Sequence, residues 1–258
     1  MGRFFIPSHQ AYGGPQLELG KGVRRFLESM GFIPPQLDGS GCILHVSDTP
    51  SSTYGYIRRA VLSMRPMMVI HTGDVADEVK VGLWPSLKDE YVRKIAKLSK
   101  TLDVIRDISR LLITCGNHDL EEVLKELIPW AEVYPLRALI TVNGRSVAAS
   151  HRHSDLGELG DANLFGHDLD LRTSTDGDRI MLNGIERMSL LDTNTWSVRF
   201  ITVPPGHRRR TDTAPPEGAI TILTPRWPPA DPRASKATKG AGDTTGGGTN
   251  AFTGTRRA

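Results

Sequence analysis

The sequence LLITCGNHD, at residues 111–119, is the stretch that indicates the fold of this chain most clearly. It begins as an apolar run and ends in a glycine followed by Asn117, His118 and Asp119. A short apolar run of this kind is typical of a strand buried on both faces of a sheet. The polar residues that follow it are expected in the loop at the carboxyl end of that strand.

Two earlier stretches repeat the arrangement. CILHV at 42–46 is followed by Ser47 and Asp48, and MMVIH at 67–71 is followed by the loop that contains Asp74. Patterns typical of helices lie at 54–64, 87–109 and 120–130. Strands that alternate with helices predict a largely parallel sheet.

The second half of the chain is richer in strand patterns. Residues 138–142 and 146–149 flank Asn143-Gly144, a sequence that favours a two-residue hairpin turn. Further strands are expected at 163–165, and at 187–191 and 196–203 as a second hairpin. We therefore predict two packed sheets.

We expect three parts: an N-terminal extension over 1–40 with a helix between 17 and 30, a domain over 41–204, and a C-terminal extension over 205–258. The last part is rich in Pro, Gly and Thr and poor in large apolar residues, so it is expected to be largely disordered after about 225, with an edge strand at 219–223. Cys42 and Cys115 are expected to be buried and reduced.

Composition excludes a membrane protein at the sequence level. No apolar run approaches the ~20 residues that span a bilayer, and the first seven residues are too short for a signal peptide. We therefore predict a cytoplasmic protein. The net charge of +3 arises in 205–258, which hold nine Lys or Arg and four Asp or Glu. This basic extension either touches nucleic acid or is a solvated tail.

Five polar segments follow predicted strands, and they are rich in metal-binding groups. They are 47–49, 73–77, 116–119, 151–153 and 166–168. Open α/β sheets place ligands outside the carboxyl ends of their strands, so we expect these segments to converge. Carboxylate and amide oxygens with imidazole nitrogens suit Mn, Fe, Zn or Ni. The sequence therefore predicts a site for a divalent transition metal.

These segments, in this order, resemble the calcineurin-like metallophosphoesterase superfamily, specifically its small prokaryotic phosphodiesterase branch. The family pattern is Asp-x-His, Gly-Asp-x-x-Asp, Gly-Asn-His-Asp/Glu, a His after a strand, and Gly-His-x-His. The resemblance covers residues 41–204 and is most specific at Gly-Asn-His-Asp. It implies an α/β fold, an αββα sandwich of two mixed β-sheets flanked by helices.

The resemblance also implies a metal-ligand set. Asp74 would bridge two metals, Asp48 would belong to the first metal site, and the second site would be completed by Asn117, His151 and His167. A family member hydrolyses a phosphomonoester or phosphodiester by attack of a metal-bound hydroxide.

The resemblance implies roles for the remaining polar residues as well. His118 would protonate or stabilise the leaving oxygen, and Asp119 would orient His118. Arg152 and His153 are the candidates for binding the substrate phosphate.

The sequence departs from the family pattern at two ligands of the first metal site. Pro50 stands where the family has the His of Asp-x-His, and Leu169 stands where it has the second His of Gly-His-x-His. We therefore expect one intact metal site and a doubtful second one, unless Asp168, Asp170 or His153 replaces the lost ligands. Asp77 would either hydrogen-bond a ligand or cap the next helix. His45 and His71, inside strands, are expected to pack behind the ligands.

Three functions stay open from the sequence. The first is an enzyme, a phosphoric ester hydrolase acting on a phosphate-ester substrate. The second is a catalytically weak or inactive protein of the same fold that serves as a binding or scaffolding module. The third is a nuclease-like role in which the basic extension binds nucleic acid. Retention of His118 and Asp119 favours the enzyme, because a scaffold does not need a leaving-group acid.

Overall fold

The computed structural model describes residues 20–176 and 178–203. Within these ranges the chain forms two β-sheets and four α-helices. In chain order the elements are α1 (Lys21–Ser29), β1 (Cys42–Val46), α2 (Tyr54–Met64), β2 (Met68–His71), α3 (Lys88–Leu102), β3 (Arg110–Thr114), α4 (Glu121–Leu127), β4 (Glu132–Tyr134), β5 (Arg137–Val142), β6 (Arg145–Ser150), β7 (Ala162–Phe165), β8 (Ser174–Asp176), β9 (Arg179–Asn183), β10 (Met188–Asp192) and β11 (Val198–Ile201).

Both sheets are mixed. The first has the order β11-β10-β1-β2-β3-β4, with β1 to β4 parallel and the pair β10 and β11 antiparallel to their neighbours. The second has the order β5-β6-β7-β9-β8, in which the β5–β6 hairpin and the β8–β9 pair are antiparallel and the central pairs are parallel. The predicted fold class, two mixed sheets flanked by helices, is confirmed.

The largest core lies where the first sheet meets its helices. Leu44 and Val46 of β1 belong to the same buried cluster as Tyr54 and Ile57 of α2 and Ile95 of α3. All five residues of β1 are buried, which accounts for its unbroken apolar sequence, because a strand covered on both faces has no solvent side to alternate toward.

The predicted long helix at 87–109 was too long. Helix α3 ends at Leu102 and continues as a 3₁₀ turn over Asp103–Ile105. Ile105 is fully buried, so the apolar spacing persists beyond the end of the α-helix. The apolar pattern therefore predicted the buried positions correctly, but it did not predict the change from α-helix to 3₁₀ turn.

The ends of the chain bear on several other predictions. The helix expected between 17 and 30 is α1, whereas residues 1–19, the strand expected at 219–223 and the whole C-terminal extension lie outside the described residues. Both cysteines are free thiols, but only Cys42 is buried, and Cys115 is half-buried. Among the described residues, no helix is long and apolar enough to cross a membrane.

Candidate metal centre

Four of the predicted metal ligands converge at the carboxyl ends of the strands. Asp74, His151 and His167 each offer one ligand atom, and these atoms lie within 4.8 Å of one another. His151 Nε2 is 3.7 Å from Asp74 Oδ2 and 3.1 Å from Asn117 Oδ1. The rings of His151 and His167 meet edge to face, with centroids 4.9 Å apart. The structure thus brings together the whole set that was predicted for the second metal site.

Three residues of the site have left-handed backbones. Asp48 follows β1 with φ of 49°, Asp74 follows β2 with φ of 52°, and His167 follows β7 with φ of 57°. This region is sparsely populated by residues other than glycine and costs about 1–3 kcal/mol at each position. The fold imposes these conformations, and each one turns a ligand out of its strand toward the shared edge.

Two glycines of the motifs allow the loops to approach each other closely. A Cβ at Gly116 would overlap the Asp74 carboxylate, and a Cβ at Gly166 would overlap Ser47 Oγ. Any larger residue at either position would push a ligand loop away. The glycines are therefore required by packing.

A second group of carboxylates shares Asp74. Asp48, Asp74 and Asp77 each place an oxygen within 4.8 Å of the others, and all three residues are buried. Asp48 Oδ2 accepts hydrogen bonds from Ser47 Oγ at 2.7 Å and from the backbone N–H of His167 at 3.1 Å. This acidic group lies where the first metal of the family pattern was expected.

The predicted replacement ligands lie outside the acidic group. Asp168, Asp170 and His153 belong to neither ligand group within the described chain. Asp168 Oδ2 accepts the backbone N–H of His153 at 2.8 Å, and Asp170 is exposed. Asp77 is the residue whose carboxylate lies with those of Asp48 and Asp74 in this group.

Lys80 is the partner of this acidic group. Its Nζ is 2.6 Å from Asp77 Oδ1 and 3.9 Å from Asp74 Oδ2. Lys80 was not among the residues predicted from the sequence. Lys80 follows Asp77 by three residues. This spacing brings the two side chains together only because the loop between them turns, and the sequence alone does not predict that turn.

Asp119 makes other contacts than the predicted one with His118. Its carboxylate accepts the backbone N–H groups of Asp74, Val75 and Gly116 at 2.7, 3.1 and 2.8 Å. It also accepts the Tyr91 hydroxyl at 3.0 Å. Burial, and then the charge of Asp74, raises the pKa of Asp119 to about 6. Among the described residues none of its hydrogen bonds goes to His118, so Asp119 fastens the two ligand loops together instead of orienting His118.

His118 is buried beside the ligands. Its backbone N–H donates to Asp74 Oδ1 at 3.0 Å, and its ring Nδ1 has no hydrogen-bond partner in the described part of the chain. Burial lowers the pKa of His118, and the charge of Lys80 lowers it further.

The sequence comparison identifies the family. The model of the calcineurin-like phosphoesterase family matches residues 43–219. This chain belongs to the calcineurin-like phosphoesterase family. Membership supports the prediction of a phosphoric ester hydrolase and of a metal-dependent site. No curated protein matches the chain significantly.

Solved structures similar to this calcineurin-like phosphoesterase are distant. One is YfcE, a phosphoesterase from E. coli, with 15% identity and a TM-score of 0.46, over 64% of this chain and 94% of that one. Another is the Thermotoga maritima protein TM1076, with 18% identity and a TM-score of 0.38, over 64% of this chain and 99% of that one.

The two predicted substrate-binding residues of this family member are placed differently. Arg152 is exposed, and its charge acts on His167: burial, the charge of His151 and then that of Arg152 lower the pKa of His167. The His153 ring packs edge to face against Phe165, with centroids 5.2 Å apart, so it belongs to the second sheet's packing.

His45 and His71 support the ligand loops of the phosphoesterase from behind, as predicted. His45 Nε2 bonds Thr72 Oγ1 at 2.9 Å, and His71 Nε2 bonds Thr49 Oγ1 at 2.8 Å. Burial lowers the pKa of each ring to about 3. Both rings are therefore neutral, and each holds a threonine next to a ligand loop.

Proposed function

We propose that this chain hydrolyses a phosphomonoester or phosphodiester with one divalent transition metal, Mn, Fe, Zn or Ni, held by Asp74, Asn117, His151 and His167. The observation that carries the proposal is the convergence of ligand atoms from Asp74, His151 and His167 within 4.8 Å. A carboxylate, an amide oxygen and two imidazoles form a donor set that suits these metals.

The hydrogen bonds of His151 support a cation at this point. Its Nδ1 lies 2.7 Å from the carbonyl oxygen of Thr72, which can only accept, so Nδ1 carries the proton. On the other side of the ring, Nε2 lies 3.1 Å from Asn117 Oδ1 and 3.7 Å from Asp74 Oδ2. A metal ion at this point would bind Nε2 together with the two oxygens, and the bond behind the ring is the usual support of a metal-binding histidine.

A metal bound there would polarise a phosphate oxygen and lower the pKa of a coordinated water. The residues of the chain supply the rest. His118, fixed to Asp74 through its backbone N–H, donates a proton to the leaving oxygen. Arg152, exposed at the rim, binds the negative charge of the phosphate, and Asp119 holds the ligand loops in position.

The experiment compares hydrolysis of bis-p-nitrophenyl and p-nitrophenyl phosphate, with added Mn, by wild type, His118→Ala and Asp74→Ala. His118→Ala should keep its metal and lose about 10²–10⁴-fold in rate, whereas Asp74→Ala should lose metal and activity together. Asp107→Ala, which removes a carboxylate whose side chain is 91% exposed, is the matched control and should behave as wild type. If wild type hydrolyses these substrates no faster than both site variants do, the proposed phosphoesterase activity is refuted.

A binding or scaffolding module is the second candidate, and it is favoured by Pro50 and Leu169, which have no donor atoms in their side chains. It predicts stoichiometric metal binding without hydrolysis of either substrate. The predicted cytoplasmic location and nucleic-acid binding through residues 205–258 stay predictions. If residues 205–258 bind nucleic acid, their deletion should weaken that binding and flatten its dependence on salt concentration.

A further inference from the structure

The acidic group of Asp48, Asp74 and Asp77 concentrates negative charge in a buried place. The three residues are 7%, 2% and 6% exposed. Buried carboxylates are costly unless they are paired with cations or fully hydrogen-bonded. In a two-metal site the first metal ion would supply the positive charge, but Pro50 and Leu169 offer no ligand atoms to hold it.

Lys80 supplies positive charge at this point. Its Nζ contacts the Asp77 carboxylate at 2.6 Å and lies 3.9 Å from Asp74 Oδ2, the oxygen that also faces His151. A lysine ammonium is a compact charge with three donors. It is thus placed where it neutralises the side of Asp74 that would otherwise bridge to a first metal.

The loop that carries Lys80 is fixed on both sides of it. Val79 and Val81 are buried, and the Val79 N–H donates to the Ala76 carbonyl. Gly82 lies against the backbone of Asn117, so closely that a Cβ there would overlap the Asn117 carbonyl oxygen. Lys80 is therefore anchored by its neighbours while its own side chain stays 31% exposed.

We propose that the ammonium of Lys80 takes the place of the first metal ion, so that the site works with one metal ion and one built-in cation. A metal could enter the acidic group only by displacing Lys80 from Asp77. The donors of the ammonium that do not bind carboxylate are left for a phosphate oxygen. This inference rests on the metal site proposed above, but it does not depend on catalysis.

The test is the Mn stoichiometry of the full chain, measured by calorimetry and elemental analysis. Wild type should bind one Mn per chain. Lys80→Met, which keeps the length of the side chain and removes its charge, should bind two, and their electron paramagnetic resonance should show magnetic coupling between neighbouring ions. Lys80→Arg, which keeps the charge, should bind one.

Two further variants locate the effect. Lys80→Met combined with Asp77→Asn should return to one Mn, because the new ion depends on that carboxylate. Lys125→Met is the matched control, since it breaks the Lys125–Glu121 ion pair on helix α4 and should leave one Mn bound.

The outcomes separate this inference from the proposed function. Two Mn in wild type, a measurement that needs no substitution, would overturn the role of Lys80, as would a single Mn in folded Lys80→Met. No Mn in wild type would overturn the metal site itself, and the inference with it. One Mn in wild type that is lost in His151→Ala supports the metal site whatever Lys80→Met does.

Discussion

The carboxylate of Asp119 accepts the backbone N–H of Asp74 at 2.7 Å, and Asp74 is the residue that both ligand groups share. The same carboxylate accepts the N–H of Val75 and, within its own loop, that of Gly116. One buried side chain thus joins the loop after β2 to the loop after β3. The spacing of the ligands depends on this junction.

Asp119→Asn should therefore destabilise the fold and weaken metal binding together. The new amide group would point an N–H at backbone N–H groups, and a buried donor left unsatisfied costs about 1–3 kcal/mol. Urea denaturation and Mn titration measure the two effects. Tyr91→Phe, which removes only the hydroxyl donor, should cost about 1 kcal/mol. A variant Asp119→Asn with normal stability and metal affinity but slow turnover would restore the role of Asp119 as the partner of His118.

Gly82→Ala should disturb the site through steric overlap. The added Cβ would overlap the Asn117 carbonyl oxygen and lie 3.0 Å from His118 Nδ1. We expect a loss of about 1–3 kcal/mol in the free energy of unfolding, together with a higher Kd for Mn. Gly22→Ala in α1, where nothing lies within 4 Å, is the control and should be neutral or stabilising by up to about 1 kcal/mol. An unchanged Kd in Gly82→Ala would show that the loop gives way freely.

The buried ring of His45 should make stability depend on pH. Its pKa is about 3 in the folded protein and about 6.5 in the unfolded chain. Between these values only the unfolded chain binds the proton. The stability that the neutral ring contributes is therefore present above pH 6.5 and is lost as pH falls toward 3, at up to about 1.4 kcal/mol per pH unit.

His45→Gln isolates this effect, because other groups contribute equal slopes to both proteins. Between pH 7 and pH 5 the free energy of unfolding of wild type should fall by about 2 kcal/mol more than that of the variant. Urea titrations at the two pH values measure the difference. Parallel slopes would mean that the ring takes up its proton without unfolding.

Metal removal should lower thermal stability. An ion that binds only the folded state at a hundred times its Kd adds about 2.7 kcal/mol, so the melting temperature should drop when Mn is replaced by a chelator. His167→Ala should be insensitive to that exchange, whereas Asp107→Ala should respond as wild type does. A wild-type melting curve unaffected by chelator would argue against the metal site.

The predictions from sequence succeeded where residue type and local pattern determine the structure. The run 111–119 and its two repeats predicted β1 to β3, and the polar segments after them predicted which residues would converge. Strand β8 escaped prediction because its three residues are all exposed and carry no apolar pattern.

Two features of the site could not be predicted from the sequence, because they depend on the direction in which a side chain or a loop points. The motif that contains Asp119 specifies a carboxylate but not where it points, and it points at backbone N–H groups instead of at His118. The contact between Lys80 and Asp77 depends on how the intervening loop turns. Both features need the fold before they can be recognised.

The left-handed backbones of Asp48, Asp74 and His167 have a consequence for the assembly of the site. An unfolded or partly folded chain rarely holds three such residues in that conformation at once. High-affinity metal uptake therefore reports the completed tertiary structure. A metal ion bound by these residues would therefore act as a folding sensor, because its ligands come from loops of both sheets.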